Sequence, residues 1–150
     1  MLLSGHYQHA IDDKGRVAVP VEFRGALSGL QGERLYLTRF RAEGRPCLDA
    51  YPAEAWQQLH DKIASKNRFD PDVMRFRRAY ISAARECVLD GQGRILVPPL
   101  LRQHAGLKRD VLFTGEGHLF QLWDLEVWQS MAAEDERLFD DPERMKALDL

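Results

Sequence analysis

Apolar positions along this chain fall into short alternating stretches, and the same order of stretches occurs twice. Leu3, Tyr7 and Ile11 share one face of a period-two pattern, which predicts a first strand. Asp12-Asp13-Lys14-Gly15 supplies turn chemistry, since Asp can bond its own backbone and Gly can take positive φ. Val17-Ala18-Val19 reads as a second strand. Pro20 fits the first turn of a short helix with Phe23 and Leu27 on its apolar face, ended by Gly25 and Gly29. Two further strands, Arg34 to Phe40 and Cys47 to Tyr51, flank a polar loop from Arg41 to Pro46. Pro52 then opens a helix in which Trp56, Leu59 or His60, and Ile63 recur at helical spacing.

The second half repeats this order. Strands are predicted over 86–89, 95–97, 111–114 and 119–123, with a helix from Pro98 to His104 closed by Gly106 and another from Leu125 onward. Between the halves, Asp70 can cap a helix begun by Pro71, with Val73, Phe76 and Tyr80 as its apolar stripe and Arg75, Arg77 and Arg78 opposite. The repeat is clearest where Asp12, Gly15, Arg16, Pro20 and Arg24 match Asp90, Gly93, Arg94, Pro98 and Arg102 at an offset of 78 residues. Tyr51 and Trp56 align with Trp123 and Trp128 at an offset of 72. These alignments divide the chain into a first module over 1–75, a second over 76–133 and an acidic tail over 134–150, which reads as a frayed helix or a disordered segment.

Composition narrows the class. The chain has 150 residues, 45% hydrophobic and 29% charged, with no signal peptide and no apolar run long enough to span a bilayer, so a cytoplasmic globular protein is expected. Cys47 and Cys87 have no metal-ligand spacing and read as packed, reduced thiols. A net charge of −2 argues against coating nucleic acid by bulk charge, but the deficit lies in the tail and the body is slightly basic. Nucleic-acid binding would therefore have to come from a local basic face.

The doubled Asp-x-x-Gly-Arg-apolar-x-apolar-Pro-x-x-x-Arg unit resembles the SpoVT/AbrB-type swapped-hairpin module. Two such modules in one chain, led by Gly5, Tyr7, His9, Ile11 and Asp12, resemble the MraZ family over residues 1 to about 130. The resemblance implies an α+β, mainly β fold of two tandem swapped-hairpin modules with short helices, related by a pseudo-twofold axis within the chain. It also implies a nucleoid-associated transcriptional regulator, usually a repressor, that binds direct repeats of double-stranded DNA upstream of the division and cell wall gene cluster. Its partners would be that DNA and further copies of itself, in a ring of eight or twelve subunits. The family's basic loop residues carry over onto Lys14 and Arg16, and by motif onto Gln92 and Arg94. Gln92 lacks the charge of Lys14, which sets the second copy apart. An AbrB-type antitoxin is the alternative among binding proteins.

The residues themselves leave two readings of each turn. Lys14 and Arg16 at a tight turn could enter a groove, Arg bonding a guanine edge and Lys acting as a point charge. Equally, Arg16 could bond Asp12 and Arg94 could bond Asp90, locking the turns, while Gly15 and Gly93 form them. Arg24 and Arg102 could extend a basic stripe or face local carbonyls at a helix end. Catalysis is not expected. His6 and His9 face opposite sides of a strand, and His60, His104 and His118 lack ligand-spaced partners. Gly115-Glu116-Gly117 reads as a hairpin turn, and no serine has a nucleophile-elbow context. No metal, cofactor or small-molecule substrate is expected. Trp56, Trp123 and Trp128 read as core or interface anchors.

A cyclic ring would present every Lys14/Arg16 turn in the same sense, so its operator should hold direct repeats spaced by about one helical turn, about 10 base pairs.

Overall fold

The computed structural model describes residues 2–28 and 33–150. Gly29 and the Gly-containing link after it lie outside the described residues. The first copy forms strands β1 (His6–Ala10) and β2 (Arg16–Ala18), helix α1 (Val21–Arg24), strands β3 (Arg34–Ala42) and β4 (Arg45–Pro52), and helix α2 (Ala53–Ala64). The bridge is α3 (Pro71–Phe76) with a π-type turn over Arg77–Ile81. The second copy follows as β5 (Arg85–Val88), β6 (Arg94–Leu96), α4 (Pro99–Ala105), β7 (Asp110–Gly115), β8 (Phe120–Asp124) and α5 (Leu125–Glu136).

The two copies exchange strands. A six-stranded sheet runs in the order β1-β7-β8-β4-β3-β5, and β2 pairs with β6 in a separate two-stranded ribbon. Every pairing is antiparallel. The first strand of each copy lies at a sheet edge against the hairpin of the other copy: Tyr7 opposite Phe113, and Leu35 opposite Cys87. The copies meet at the centre, where Leu48 opposes Leu122. This order maps onto itself when the copies are interchanged, which is the pseudo-twofold relation expected of swapped hairpins. Among the described residues helical ones outnumber strand ones, 41% against 31%, so the β character lies in the core rather than in the count.

The apolar triplets explain the ribbon. Val17 and Val19 from one copy and Ile95 and Val97 from the other are all at most 1% exposed, while Leu96 between them is 58% exposed. Period-two alternation thus buries one face of the ribbon against the sheet and turns the other outward. Phe23 and Leu101, which occupy the same place in α1 and α4, complete the seal. Phe23 sits 4.9 Å from the ring of Phe120 and 5.3 Å from that of Tyr7, tying the helix of the first copy to strands of both.

Several local expectations shift. The polar loop from Arg41 to Pro46 shrinks to a two-residue turn, because β3 and β4 stay paired out to Ala42 and Arg45. Glu43 (φ 53°) and Gly44 (φ 80°) both take left-handed backbone there, as a tight hairpin requires. Pro46 is tolerated in β4 because β8 pairs only with residues 48–50, so its missing N–H faces no ladder on that side. Gly25 does not end α1 by itself but takes right-handed helical backbone and leads into a 3-10 turn over Gly25–Leu27. In the tail, α5 runs to Glu136, a 3-10 turn covers Arg137–Asp140, and helix α6 (Pro142–Ala147) is capped by the Asp141 carboxylate. Asp70 caps α3 as its spacing predicts, accepting from the backbone N–H groups of Asp72 and Val73.

Candidate nucleic-acid interface

Each turn between the first two strands of a copy is built around one aspartate. The Asp12 carboxylate accepts the backbone N–H groups of Lys14 (3.0 Å) and Arg16 (2.9 Å) through one oxygen and the Arg16 Nε (2.8 Å) through the other. Asp90 does the same for Gln92 and Arg94, at 2.9, 2.9 and 3.0 Å. Backbone bonds from Gly15 to Asp12 and from Gly93 to Asp90 close the loops. Gly15 (φ 88°) and Gly93 (φ 73°) both hold left-handed backbone, which explains glycine at each. Backbone donors, joined by the arginine beside it, pull the Asp12 carboxyl down to about 2, and Asp90 is lowered for the same reason.

The turns are locked by the opposite copy. Gly93 accepts the N–H of Val19, and Gly15 accepts that of Val97. Above this exchange lie the closing arginines. Arg24 bonds the Val19 carbonyl through Nε at 2.9 Å and lays its guanidinium over Gly93, where an added Cβ would fall 2.1 Å from Cζ. Arg102 reaches the Asp13 carbonyl at 3.3 Å and lies beside Gly15. Arg24 and Arg102 therefore each buttress the turn of the other copy, a role that sequence reasoning missed. Its signal was present in the fixed spacing from each Gly to its closing Arg, which means little until strand exchange is known.

The expected site residues fall into two groups. Lys14 and Gln92 are exposed at the tips, and Arg16 and Arg94, partly exposed, hold their turn aspartates; Gly15 and Gly93 are buried beneath. Because Arg16 opposes Leu96 and Arg94 opposes Ala18, the two arginines sit about 7 Å apart along the ribbon. Both alternate with the buried Val17 and Ile95, so both lie on the outward face. Arg24 joins this group from the flank. Of the arginines on the bridge, Arg75 is paired with Asp72 at 2.9 Å, and Arg77 turns back to the Ile63 carbonyl.

On the sheet, one buried polar cluster is structural. Tyr80 donates to the buried Asp49 and accepts from Tyr51 at 2.5 Å, while Gln121 holds the other Asp49 oxygen at 2.9 Å. Burial raises Asp49 and Tyr80 above their ordinary values. Cys47 and Cys87 are buried free thiols, and burial pushes Cys87 up to about 11. His6 packs on Trp128 and His9 on Phe113, and Trp56 stacks on Tyr36. Among the described residues, no group of three or more His, Cys, Asp or Glu side chains is placed to hold a metal, and no helix is long and apolar enough to cross a membrane.

Two repeat copies that trade strands around a shared ribbon, each carrying one aspartate-centred turn, define a tandem swapped-hairpin protein. The chain belongs to the MraZ family: the family model described as "MraZ protein, putative antitoxin-like" matches residues 2–79 and again residues 80–149. Among curated relatives, the Transcriptional regulator MraZ of Thermomicrobium roseum is 43% identical over 128 residues, covering 85% of each chain. Its namesake in Thermoanaerobacter pseudethanolicus is 39% identical over the same length and coverage. That of Caldanaerobacter subterraneus subsp. tengcongensis is 35% identical over 140 residues, covering 93% of each.

Proposed function

We propose that this chain is a transcriptional regulator that binds DNA sequence-specifically through the outward face of the β2–β6 ribbon. Lys14, Gly15 and Arg16 form the principal reading turn, with Arg24, Gln92 and Arg94 as flanking contacts. The observation that carries the reading is the convergence of both aspartate-centred turns, with Lys14, Arg16 and Arg94, on the outward face of one two-stranded ribbon. A two-stranded ribbon fits the B-DNA major groove, and its arginines can then reach base edges while Lys14 meets phosphate. The names of the relatives support the regulatory role.

The full reading is of a cytoplasmic, nucleoid-associated repressor with no enzymatic activity. It acts as a ring-shaped homo-oligomer on direct repeats upstream of the division and cell wall genes. Each turn binds weakly, and affinity comes from several turns engaging repeats about 10 base pairs apart. The two modules, 1–75 and 76–133, act as one DNA-facing unit, and residues 134–150 lie outside it.

A gel-shift assay on the DNA upstream of the gene tests this. Replacing Lys14 and Arg16 with Ala should abolish the shift while sedimentation shows unchanged assembly. Undiminished binding by the double variant would remove the site assignment. The antitoxin-like description of the family motivates a second reading, which co-purification of a stoichiometric toxin would favour.

A further inference from the structure

Away from the ribbon, a cavity of about 460 Å³ opens between α5, the 3-10 turn after it and the β7–β8 face of the sheet. Its volume lies in the range of small-molecule sites. Four carboxylates line it, Glu43, Glu116, Asp135 and Glu136, and no lysine or arginine does among the described residues. The indole of Trp128 forms part of the wall. At the sheet, Thr114 is only 4% exposed, and its hydroxyl has no hydrogen-bond partner among the described residues. A buried hydroxyl without a partner costs free energy unless something in the cavity satisfies it.

We infer that this cavity binds a small linear polyamine, whose ammonium groups meet the four carboxylates and donate to the Thr114 hydroxyl while its methylenes lie along Trp128. Three parts of the lining match parts of such a ligand, while His6 and Gln121 complete the wall beside Glu116 and Trp123. The exposed carboxylates attract and bond N–H donors, the part of the Trp128 indole left uncovered by His6 offers apolar surface to the methylenes, and the buried Thr114 supplies an acceptor at the floor. A bare divalent cation fits less well, because the carboxylates are not gathered into a ligand cluster and the indole offers it no oxygen. Glu43, in the left-handed turn between β3 and β4, lines the cavity from the sheet side. Burial and the charge of Asp49 already raise the Glu116 carboxyl, and a neighbouring ammonium would oppose that rise. Two of the four carboxylates come from the acidic tail, which the DNA-facing ribbon leaves unexplained.

Titration calorimetry of the full chain with spermidine and with putrescine, at fixed ionic strength and with magnesium chloride as the comparison, tests this. Spermidine should bind at one per chain and raise Tm, whereas magnesium should do neither. Glu116→Gln combined with Asp135→Asn should weaken binding at least tenfold. Thr114→Val and Trp128→Leu should each weaken it several-fold, and Thr114→Val should leave the unliganded protein at least as stable as before. Affinity unchanged by Thr114→Val and Trp128→Leu would mean a diffuse counterion atmosphere, and equal binding of magnesium would mean a general cation site. Either result overturns the proposal.

Discussion

The guanidinium of Arg24 lies across Gly93, 69 residues further along the chain, and holds down a turn that belongs to the other repeat. Gly93→Ala must both force a Cβ into this contact and hold φ at 73°, a conformation that costs an L-residue about 1–2 kcal/mol. Urea unfolding should show a loss of about that size or more. In the background of Arg24→Ala the clash is gone, so the added loss from Gly93→Ala should shrink to the backbone part. Strict additivity of the two substitutions would contradict the contact.

Asp12 makes the first turn sensitive to acid. Its folded-state value, about 2, lies below its ordinary 3.8, so its contribution is fully present above about pH 4 and is lost as pH falls toward 2. Asp90 behaves in the same direction. Urea midpoints measured from pH 5 to pH 2 should fall less steeply for an Asp12→Asn, Asp90→Asn double variant than for the parent.

Tyr80 holds the buried Asp49, and its loss leaves that carboxylate short of a donor. Tyr80→Phe should cost about 1–3 kcal/mol, and Tyr51→Phe, which removes only the donor to Tyr80, about 1 kcal/mol. Asp49 titrates with the opposite sign to Asp12. Its raised value means that its contribution is greatest below its unfolded value and is lost as pH rises through the folded one. Asp49→Asn should therefore cost less at pH 7 than at pH 4, as chemical denaturation at both pH values would reveal.

Gln92 is the uncharged counterpart of Lys14 at an exposed tip. Gln92→Lys should strengthen binding to upstream DNA several-fold at low salt and steepen the salt slope by about 1 for each phosphate newly met. Fluorescence anisotropy across a salt series would measure both. An unchanged slope would show that the second turn stays clear of the backbone.

The elements were legible because each rests on a local signal. Asp70 before Pro71, Gly106 after His104 and the alternation of Val17 and Val19 all act within a few residues. Partner choice was legible only as far as the family resemblance carried it. The period-two pattern of β1 says which face is buried and is silent on whether Tyr7 lies beside its own hairpin or beside Phe113. For the same reason Arg24 and Arg102 read as stripe residues or helix-end cations, when each spans to the opposite repeat. The cavity beside Thr114 was invisible too, since an unpartnered hydroxyl is a property of packing and leaves no mark on the chain.

The exchange of first strands also bears on assembly. A chain holding only the first repeat would have β2 without β6 and β1 without β7, so its surfaces could be completed only by a second identical chain. The ribbon is thus the seam at which one repeat would have to meet a second copy of itself, and here the two copies are joined in one chain. Joining them in a single polypeptide frees assembly of this seam from protein concentration and allows the halves to diverge. Lys14 and Gln92 are a visible product of that freedom, since a symmetric dimer must carry the same residue at both tips.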